Sequence, residues 1–504
     1  MRVRRIRLAA LFIAIGMFGV NAATARADGN LWKVKHLVIV MQENRSFDNF
    51  LGALTYAPGS PYHTCSAKQK RSDHRCVDGL TCTVDSGGNF TCANSNPDED
   101  GNPVFAYHDP RLCDVSGLDH GWEQSHHEAN WQYPDDTFNW SPNNGFVLQN
   151  DTDNGPEQPF VRDTMGFYTQ DDLPVYYGLS NTFSIDDTYF CSVIGPTLPN
   201  RLYYMAGASF GHITTAEAIP PLPVGYRPLR GTLFDLMDKF NVSWVNYYSD
   251  IPSSAYIRAF ISPHIAPITQ FATDAAAGNL PDFSLVDPNF GILDPSQESD
   301  GSPPNNVRRD DYFIWQIVNA VRTSPLWKDT IIIITKDEHG GTYDHVKPPE
   351  AIQNHAISPD GINPGQCADL SNPPASEQHG GGANCGFSQG EVSDMCPGFT
   401  PSGPYPQNCP NFNQYGFRVP LIAVSPFSKR HYVSHALGDH TSLVALIEKI
   451  FMTRKGKSKH PSLTLRDANA DTLEDMFDFD HSPSLNAALP TPVPPGPDDS
   501  GCGG

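Results

Sequence analysis

At 504 residues the chain is long enough for one large α/β domain or two smaller ones. Hydrophobic residues make up 39% of it, and 41 glycines with 45 prolines mark a loop-rich globular protein; no collagen-like period appears, which excludes a fibrous one. The formal net charge of −22 repels phosphate backbones and excludes nucleic acid as a general partner, although a metal or a few arginines can still build an anion site inside an acidic protein.

Arg2, Arg4, Arg5 and Arg7 form a basic start, Leu8 to Val20 is an apolar run, and Ala25-Arg26-Ala27 is a small-x-small cleavage site before Asp28. Residues 1–27 therefore read as a cleaved signal peptide, too short in its apolar part to span a bilayer comfortably, and the mature protein as secreted or periplasmic. Arg4-Arg5 raises twin-arginine export, but the residues after it fit that signal poorly. Cleavage removes five arginines and no acid, which takes the charge from −22 to about −27. No later stretch is long and apolar enough for a membrane helix.

Val34 to Met41 is rich in β-branched residues and predicts a buried strand that runs into Gln42-Glu43-Asn44. From about Tyr56 to Cys113 the chain turns polar, with Cys65, Cys76, Cys82, Cys92 and Cys113 crowded into it. Further strands are predicted at Val242–Tyr247, Phe283–Val286, Thr330–Thr335 and Val419–Val424, and helices at Leu233–Phe240, Asp311–Arg322 and Ser442–Phe451, the last capped by Asp439 or Thr441. Residues 351–415 form a second insertion, which carries Cys367, Cys385, Cys396 and Cys409. In an exported chain such clusters predict disulfides; Cys76 and Cys82 are too far apart for a zinc knuckle, and the odd total of 11 leaves at least one thiol. The tail from 488 is Pro-rich and reads as disordered, so the expected catalytic domain is 28–487. Strands alternating with helices imply an α/β fold: a mainly parallel central sheet, helices on both faces, and disulfide-rich loop insertions.

Val34–Met41 ends in Glu43 and Asn44, and Thr330–Thr335 runs into Lys336-Asp337-Glu338-His339-Gly340-Gly341. In open parallel sheets, functional groups gather beyond the carboxyl ends of strands. Three carboxylates and an amide carbonyl at such an edge suit a hard divalent cation, although acids after a strand also cap helices or face water. Thr197 sits between prolines in Gly195-Pro196-Thr197-Leu198-Pro199-Asn200-Arg201; it is either a turn threonine or a hydroxyl that a nearby dication would activate, with Asn200 and Arg201 able to contact an anion. His120, His126 and His127 in LDHGWEQSHHEANW, and His345 in TYDHVKPP, are candidates for metal ligation or for protonating a leaving group; a surface pair is the plainer reading of His126-His127.

Taken in order, HLVIVMQENRSFDNFLG, LDHGWEQSHH, GPTLPNRLY, TKDEHGGTYDHVKPP, GFRVPLIAVSPF and DHTSLVALIEKIF resemble the bacterial phospholipase C and acid phosphatase (phosphoesterase) family of the alkaline-phosphatase-like superfamily, over about residues 34 to 453. The resemblance implies an alkaline-phosphatase-like fold. It also implies that Glu43, Asn44, Asp337 and Glu338 ligate a divalent metal, with Thr197 as nucleophile and further ligand. One of His120, His126 or His127 would assist at the phosphoryl group, and His345 would be the other active-site histidine. The implied reaction is in-line attack on phosphorus through a phosphothreonine, with a phospholipid or small phosphoester as substrate and transient contact with a membrane surface. Threonine in place of the serine usual in family phosphatases leans toward phospholipase C, against an acid phosphatase acting on soluble monoesters.

Two departures stand out. The family's Asp-x-His-Pro element corresponds to Asp300-Gly301-Ser302-Pro303, which puts Ser302 where the family has a histidine, and the chain stops soon after the last motif, without the C-terminal β-rich modules of the larger phospholipases. Ser302 is also the one support for an inactive binding homologue, against which Thr197 and both acid pairs remain. A serine esterase is a remote rival: Gly207-Ala208-Ser209-Phe210-Gly211 matches a nucleophile elbow and His379-Gly380-Gly381-Gly382 an oxyanion loop, but the required strand, helix and order are missing. Phe47 and Phe50 read as core anchors and Arg45 as a structural ion rather than a ligand.

Overall fold

The apolar run after Lys35 carries hydrophobic side chains on both pleat faces, which suits only a strand covered on both sides. In the computed structural model, which describes residues 31–66, 72–113, 117–132, 142–154, 163–218, 225–257, 263–351, 359–377, 385–453 and 461–496, it is strand β1, His36–Gln42, in the middle of an eight-stranded sheet. The other strands are β2 Ser184–Asp186, β3 Trp244–Tyr248, β4 Ile265–Pro267, β5 Phe283–Val286, β6 Thr330–Lys336, β7 Leu421–Val424 and β8 Tyr432–Ser434. Their order across the sheet is β4-β3-β5-β1-β6-β7-β2-β8. Only β7 runs antiparallel, against β6 and β2; the other pairings are parallel.

The helices among the described residues are α1 Phe47–Leu51, α2 Trp122–Ala129, α3 Phe146–Asn154, α4 Pro174–Ser180, α5 Thr197–Ala206, α6 Leu233–Phe240, α7 Ile268–Ala277, α8 Val307–Arg322, α9 Gly386–Met395, α10 His440–Ile447 and α11 Leu465–Asn469. Alternation along the central strands decides which helix covers which face. Leu37, Ile39 and Met41 of β1, with Ile331 and Ile333 of β6, join the apolar sides of α5, α6 and α10. Val38 and Val40, with Ile332 and Ile334, join those of α4, α7 and α8. Phe47 and Phe50 are fully buried in this second core. Asp439 is the N-cap of α10, in a capping box with Ser442. The α10 pattern passes into a π-helical turn at Glu448–Met452, where the sequence predicts one continuous helix.

Among the described residues, disulfides join Cys65–Cys76, Cys82–Cys92, Cys367–Cys385 and Cys396–Cys409, Cys113 is also bonded, and the free thiol is the buried Cys191. The first insertion is therefore ordered by staples and two-residue to three-residue strand pairs, such as Cys82–Val84 with Phe90–Cys92. The tail, read from sequence as disordered, is packed at its start: Leu489 lies on the second core and Pro490 against Gly178. Residues 1–27 lie outside the described residues, and no described helix is long and apolar enough to cross a membrane.

Candidate active site

Parallel register aligns the ends of β1 and β6. Val40 pairs with Ile334, Met41 with Thr335 and Gln42 with Lys336, and the next step is held by Asp337 N–H donating to Gln42 O at 3.1 Å. Glu43 and Asp337 thus leave the same sheet edge side by side. Asn44 turns the chain away with φ of 59°, a conformation asparagine tolerates better than most residues. Its N–H donates to Asp337 Oδ1 at 3.1 Å, and Arg45 N–H donates to Glu338 O at 3.0 Å, so the two strand ends are laced together. The Gly-Gly pair after His339 permits this. A Cβ on Gly340 would lie 2.2 Å from Asn44 O, and one on Gly341 would lie 2.6 Å from Leu118 Cβ, and both glycines have left-handed φ.

Arg201 joins a third element to these ends. Its Nε donates to Asp337 Oδ2 and its Nη2 to Glu43 Oε1, each at 3.0 Å, and the guanidinium is fully buried. Thr197 stands four residues earlier on α5, on the same helix face, at the N-terminal end and 6% exposed. Asn200, expected from sequence to contact an anion, is committed to the loop instead. Its Oδ1 accepts from Val193 N–H, and its Nδ2 donates to the carbonyls of Val193, Gly195 and Pro196. It shapes the turn that presents Thr197.

The acids are not balanced. Glu43 and Asp337 share the Arg201 guanidinium, whereas Glu338 Oε2 lies 3.2 Å from His339 Nδ1, and burial followed by the charge of Asp337 drives the Glu43 carboxyl well above its usual range. Burial likewise raises Asp337 despite Arg201. Several buried side-chain oxygens lack a hydrogen-bond partner among the described residues, and two of them belong to the expected ligands, Asn44 Oδ1 and Glu338 Oε1, the latter 3.6 Å from His120 Nε2. Asn44 Nδ2 donates to Ser302 Oγ at 2.8 Å, which leaves its carbonyl oxygen as the free end. Orphaned buried acceptors are costly unless a donor or cation meets them. A hard cation fits this donor set of carboxylate and amide oxygens.

Of the four histidines singled out in the sequence, His120 comes closest to these groups, although His339 Nδ1 lies nearer, 3.2 Å from Glu338 Oε2. The His120 Nδ1–H donates to Leu118 O at 2.7 Å, which leaves Nε2 toward Glu338 Oε1 at 3.6 Å. His126 is buried and donates Nδ1–H to Trp122 O, and burial pushes its pKa down to about 4. His127 faces Gln149. His345 is placed elsewhere: Nδ1 lies 2.6 Å from Asp48 Oδ2 and Nε2 3.5 Å from Asp78 Oδ1, in a cluster with Arg418 and Asp344.

The structure adds supports that the motifs alone did not assign. His440 donates Nε2–H to Asp337 O at 2.6 Å and takes the Tyr189 hydroxyl on Nδ1, and burial lowers its pKa to about 4, so it holds the Asp337 backbone as a neutral ring. Glu128 reaches from α2 to His339 Nε2 at 2.6 Å. Arg45 donates to Gly301 O and lies over the Phe50 and Tyr168 rings, a structural ion as expected.

Three groups of donors approach within 4.8 Å of one another among the described residues, and none of them includes Glu43, Asp337 or Glu338. Two of them use Cys65–Cys76 or Cys367–Cys385, whose sulfurs are locked in disulfides, and the third is the Asp48, Asp344, His345 cluster already neutralised by Arg418. Ser209 follows helix α5 rather than a strand, which removes the elbow geometry; His379 to Gly382 lie outside the described residues.

Known proteins resemble this chain along most of its length. Phospholipase C B of Mycobacterium tuberculosis is 30% identical over 93% of this chain and 80% of its own length, and non-specific phospholipase C1 of Arabidopsis thaliana is 27% identical over 89% and 72%. Among solved structures, a protein in the alkaline phosphatase superfamily from Vibrio parahaemolyticus is 11% identical over 56% of this chain and 60% of that one, with a TM-score of 0.28. The profile of the phosphoesterase family matches residues 34–453, from the start of β1 through α10, so every strand end that supplies the site lies inside the match. The chain belongs to the phosphoesterase family and is a hydrolase of phosphoester bonds.

Proposed function

We propose that this phosphoesterase is exported and cleaves phospholipids as a phospholipase C does, through a metal held at the β1 and β6 ends and Thr197 as nucleophile. The observation that carries the reading is the pair of buried oxygens without a hydrogen-bond partner, Asn44 Oδ1 and Glu338 Oε1, beside two carboxylates that share one guanidinium. The names of the relatives, phospholipase C B and non-specific phospholipase C1, support the substrate class. Four disulfides support export.

Glu43, Asn44, Asp337, Glu338 and Thr197 would hold the cation, which when bound polarises phosphoryl oxygens and lowers the pKa of a nearby hydroxyl. The chain's own residues do the rest. Pro196 and the Asn200 amide fix the turn before α5, so the Thr197 hydroxyl is presented with little freedom left to lose on attack. The positive end of the α5 dipole faces the incoming phosphate. Arg201 anchors α5 to Glu43 and Asp337, which keeps nucleophile and acids in one rigid frame. Thr197 Oγ1 bonds to phosphorus as the bond to the glycerol oxygen breaks, and His120, with Nε2 directed into the site, protonates that leaving oxygen. Water then attacks the phosphothreonine and frees the headgroup phosphate. Both ring nitrogens of His345 face carboxylates, so the acid role goes to His120.

Turnover of phosphatidylcholine micelles against p-nitrophenyl phosphate, with metal content measured on the same preparation, tests the reading. We expect release of diacylglycerol and a bound divalent metal; turnover of the monoester alone would assign an acid phosphatase instead.

A further inference from the structure

The segment after β5 leaves the sheet at the same edge as Glu43 and Asp337, because β5 pairs in parallel with β1. It forms a closed loop from Asn289 to Ser299: Asn289 N–H donates to Ser299 Oγ at 3.1 Å, and Ser299 N–H donates to Asn289 O at 2.8 Å. Gln42, the residue before Glu43, ties the loop's base by donating Nε2 to Ser299 O at 3.2 Å. On the loop's near side the Phe290 ring covers the Arg201 guanidinium, with its centroid 5.0 Å away.

The tip is held just as firmly. Asp250 accepts Phe290 N–H on one carboxylate oxygen at 3.2 Å and Ile292 N–H on the other at 3.0 Å, and Asn289 Oδ1 accepts Gly291 N–H at 2.9 Å. Arg309 donates to Ser296 O on the return side. Yet this fixed backbone points two adjacent large apolar side chains into solvent: Ile292 is 54% exposed and Leu293 73%. Single exposed apolar residues are ordinary, but an adjacent pair on a tied loop beside an active site forms a small, stiff wedge. The acids Asp294 and Glu298 flank it and the chain is acidic overall, so an anionic surface is repelled and a zwitterionic one is not.

We propose that Ile292 and Leu293 insert into a zwitterionic phospholipid surface and set the depth at which a lipid phosphate reaches the site beneath Phe290. The proposal rests on the phospholipid reading above. Insertion at the rim places the membrane against the mouth of the catalytic edge, so a headgroup phosphate enters without leaving its bilayer. Because Asp250 and Asn289 have already ordered the loop, little conformational entropy is lost on insertion.

The test compares the wild type with I292S/L293S on phosphatidylcholine vesicles and on a short-chain phosphatidylcholine kept below its micellar concentration. Vesicle sedimentation provides a binding readout independent of turnover. We expect short-chain turnover within about twofold of wild type, and both vesicle turnover and vesicle-bound fraction to fall by about tenfold or more, the scale set by loss of two inserted aliphatic groups. Leu293→Trp, a substitution that keeps the wedge apolar, should restore binding and show a blue-shifted emission on vesicles. Equal losses on both substrates, or unchanged vesicle binding, would overturn the wedge. Wild type that binds vesicles through Ile292 and Leu293 but cleaves neither lipid would instead overturn the phospholipase reading and leave the wedge standing.

Discussion

One loop, from Asp337 to His345, feeds two buried ionic clusters that differ in a single respect. At its start, Glu43 and Asp337 share the Arg201 guanidinium beside Glu338, and Asn44 Oδ1 and Glu338 Oε1 have no hydrogen-bond partner. At its end, Asp48 and Asp344 face Arg418 and His345, with contacts of 2.6 to 3.0 Å and the half-exposed Asp78 at the margin. Burial raises carboxyl pKa values in both; His345 and Arg418 bring Asp48 below its usual value and His120 and His339 bring Glu338 below its own, while Asp344 stays above its usual value and Glu43 far above. The second cluster has the denser geometry of donors, but its charges already close. Proximity of ligand atoms is therefore not the ground for the proposed cation site; buried oxygens without partners beside crowded carboxylates are.

The largest expected effect separates the two clusters by function. Thr197→Ala, or removal of the metal by a chelator, should lower kcat by roughly 10⁴-fold or more, the scale on which loss of a covalent nucleophile acts. Chelation and Glu43→Ala should match each other. His345→Gln, in a folded protein at pH 7, should keep kcat within about tenfold, the modest cost expected of a group outside the reacting set. A His345→Gln variant as dead as Thr197→Ala, with an unchanged circular dichroism spectrum, would move catalysis into the second cluster.

That division was only half legible in the sequence. The sheet's central strands and helices α6, α8 and α10 were readable because each is long and strongly patterned, and Phe283–Val286 and Leu233–Phe240 fall where expected. Strands β2, β4 and β8 were not, since each has three residues and takes its pairing from neighbours distant in sequence. Glu43 and Asp337 could be proposed as partners because each follows an apolar strand, and register then sets them side by side. Arg201 looked like an anion contact, because nothing local reveals that its guanidinium is consumed by two acids 158 and 136 residues away. The same blindness hid the Asn200 amide inside its own loop and joined His345 to Asp48. Burial decides each case, and a single sequence carries no direct record of it.

Stability offers a second cut. Arg201→Met and Arg418→Met each strand two buried carboxylates, and each should cost about 3–5 kcal/mol in urea unfolding, the range for breaking a buried pair from one side. The clusters then part: an added divalent cation should recover much of the loss in Arg201→Met and little in Arg418→Met. Recovery of Arg418→Met by metal would show that its cluster also binds a cation, and the charge argument would fail.

A third difference is in pH. Burial opposes protonation of His345, but the Asp48 charge and hydrogen bonds to Asp48 and Asp78 outweigh it and lift the pKa to about 10, above the ordinary 6.5. A raised folded pKa means that the contribution is complete below pH 6.5 and fades as pH climbs through 10. Unfolding free energy should thus fall by roughly a few kcal/mol between pH 6.5 and 10, and His345→Gln should flatten part of that slope. Part will remain, because buried His212, held between Glu217 and Glu377, and His339, held between Glu128 and Glu338 at the first cluster, each rise to about 9 with the same sign.

The smallest effect concerns Ser302, where the family resemblance leads one to expect a histidine. Its hydroxyl accepts Asn44 Nδ2–H and thereby turns the Asn44 carbonyl oxygen to the free position among the acids. Ser302→Ala leaves the ligand atoms in place but releases the amide to rotate, and the nearest alternative acceptor is Glu43 Oε2 at 3.4 Å. An outer partner of this kind typically changes metal affinity by about 10–100-fold. The metal concentration for half-maximal activity should rise by about tenfold in Ser302→Ala, with kcat at saturating metal nearly unchanged. Because Ser302 touches no carboxylate of the second cluster, the pH slope assigned to His345 should not move. A lowered kcat at saturating metal would mean that Ser302 acts on the substrate rather than on Asn44, and the serine would then replace the missing histidine in chemistry as well as in place.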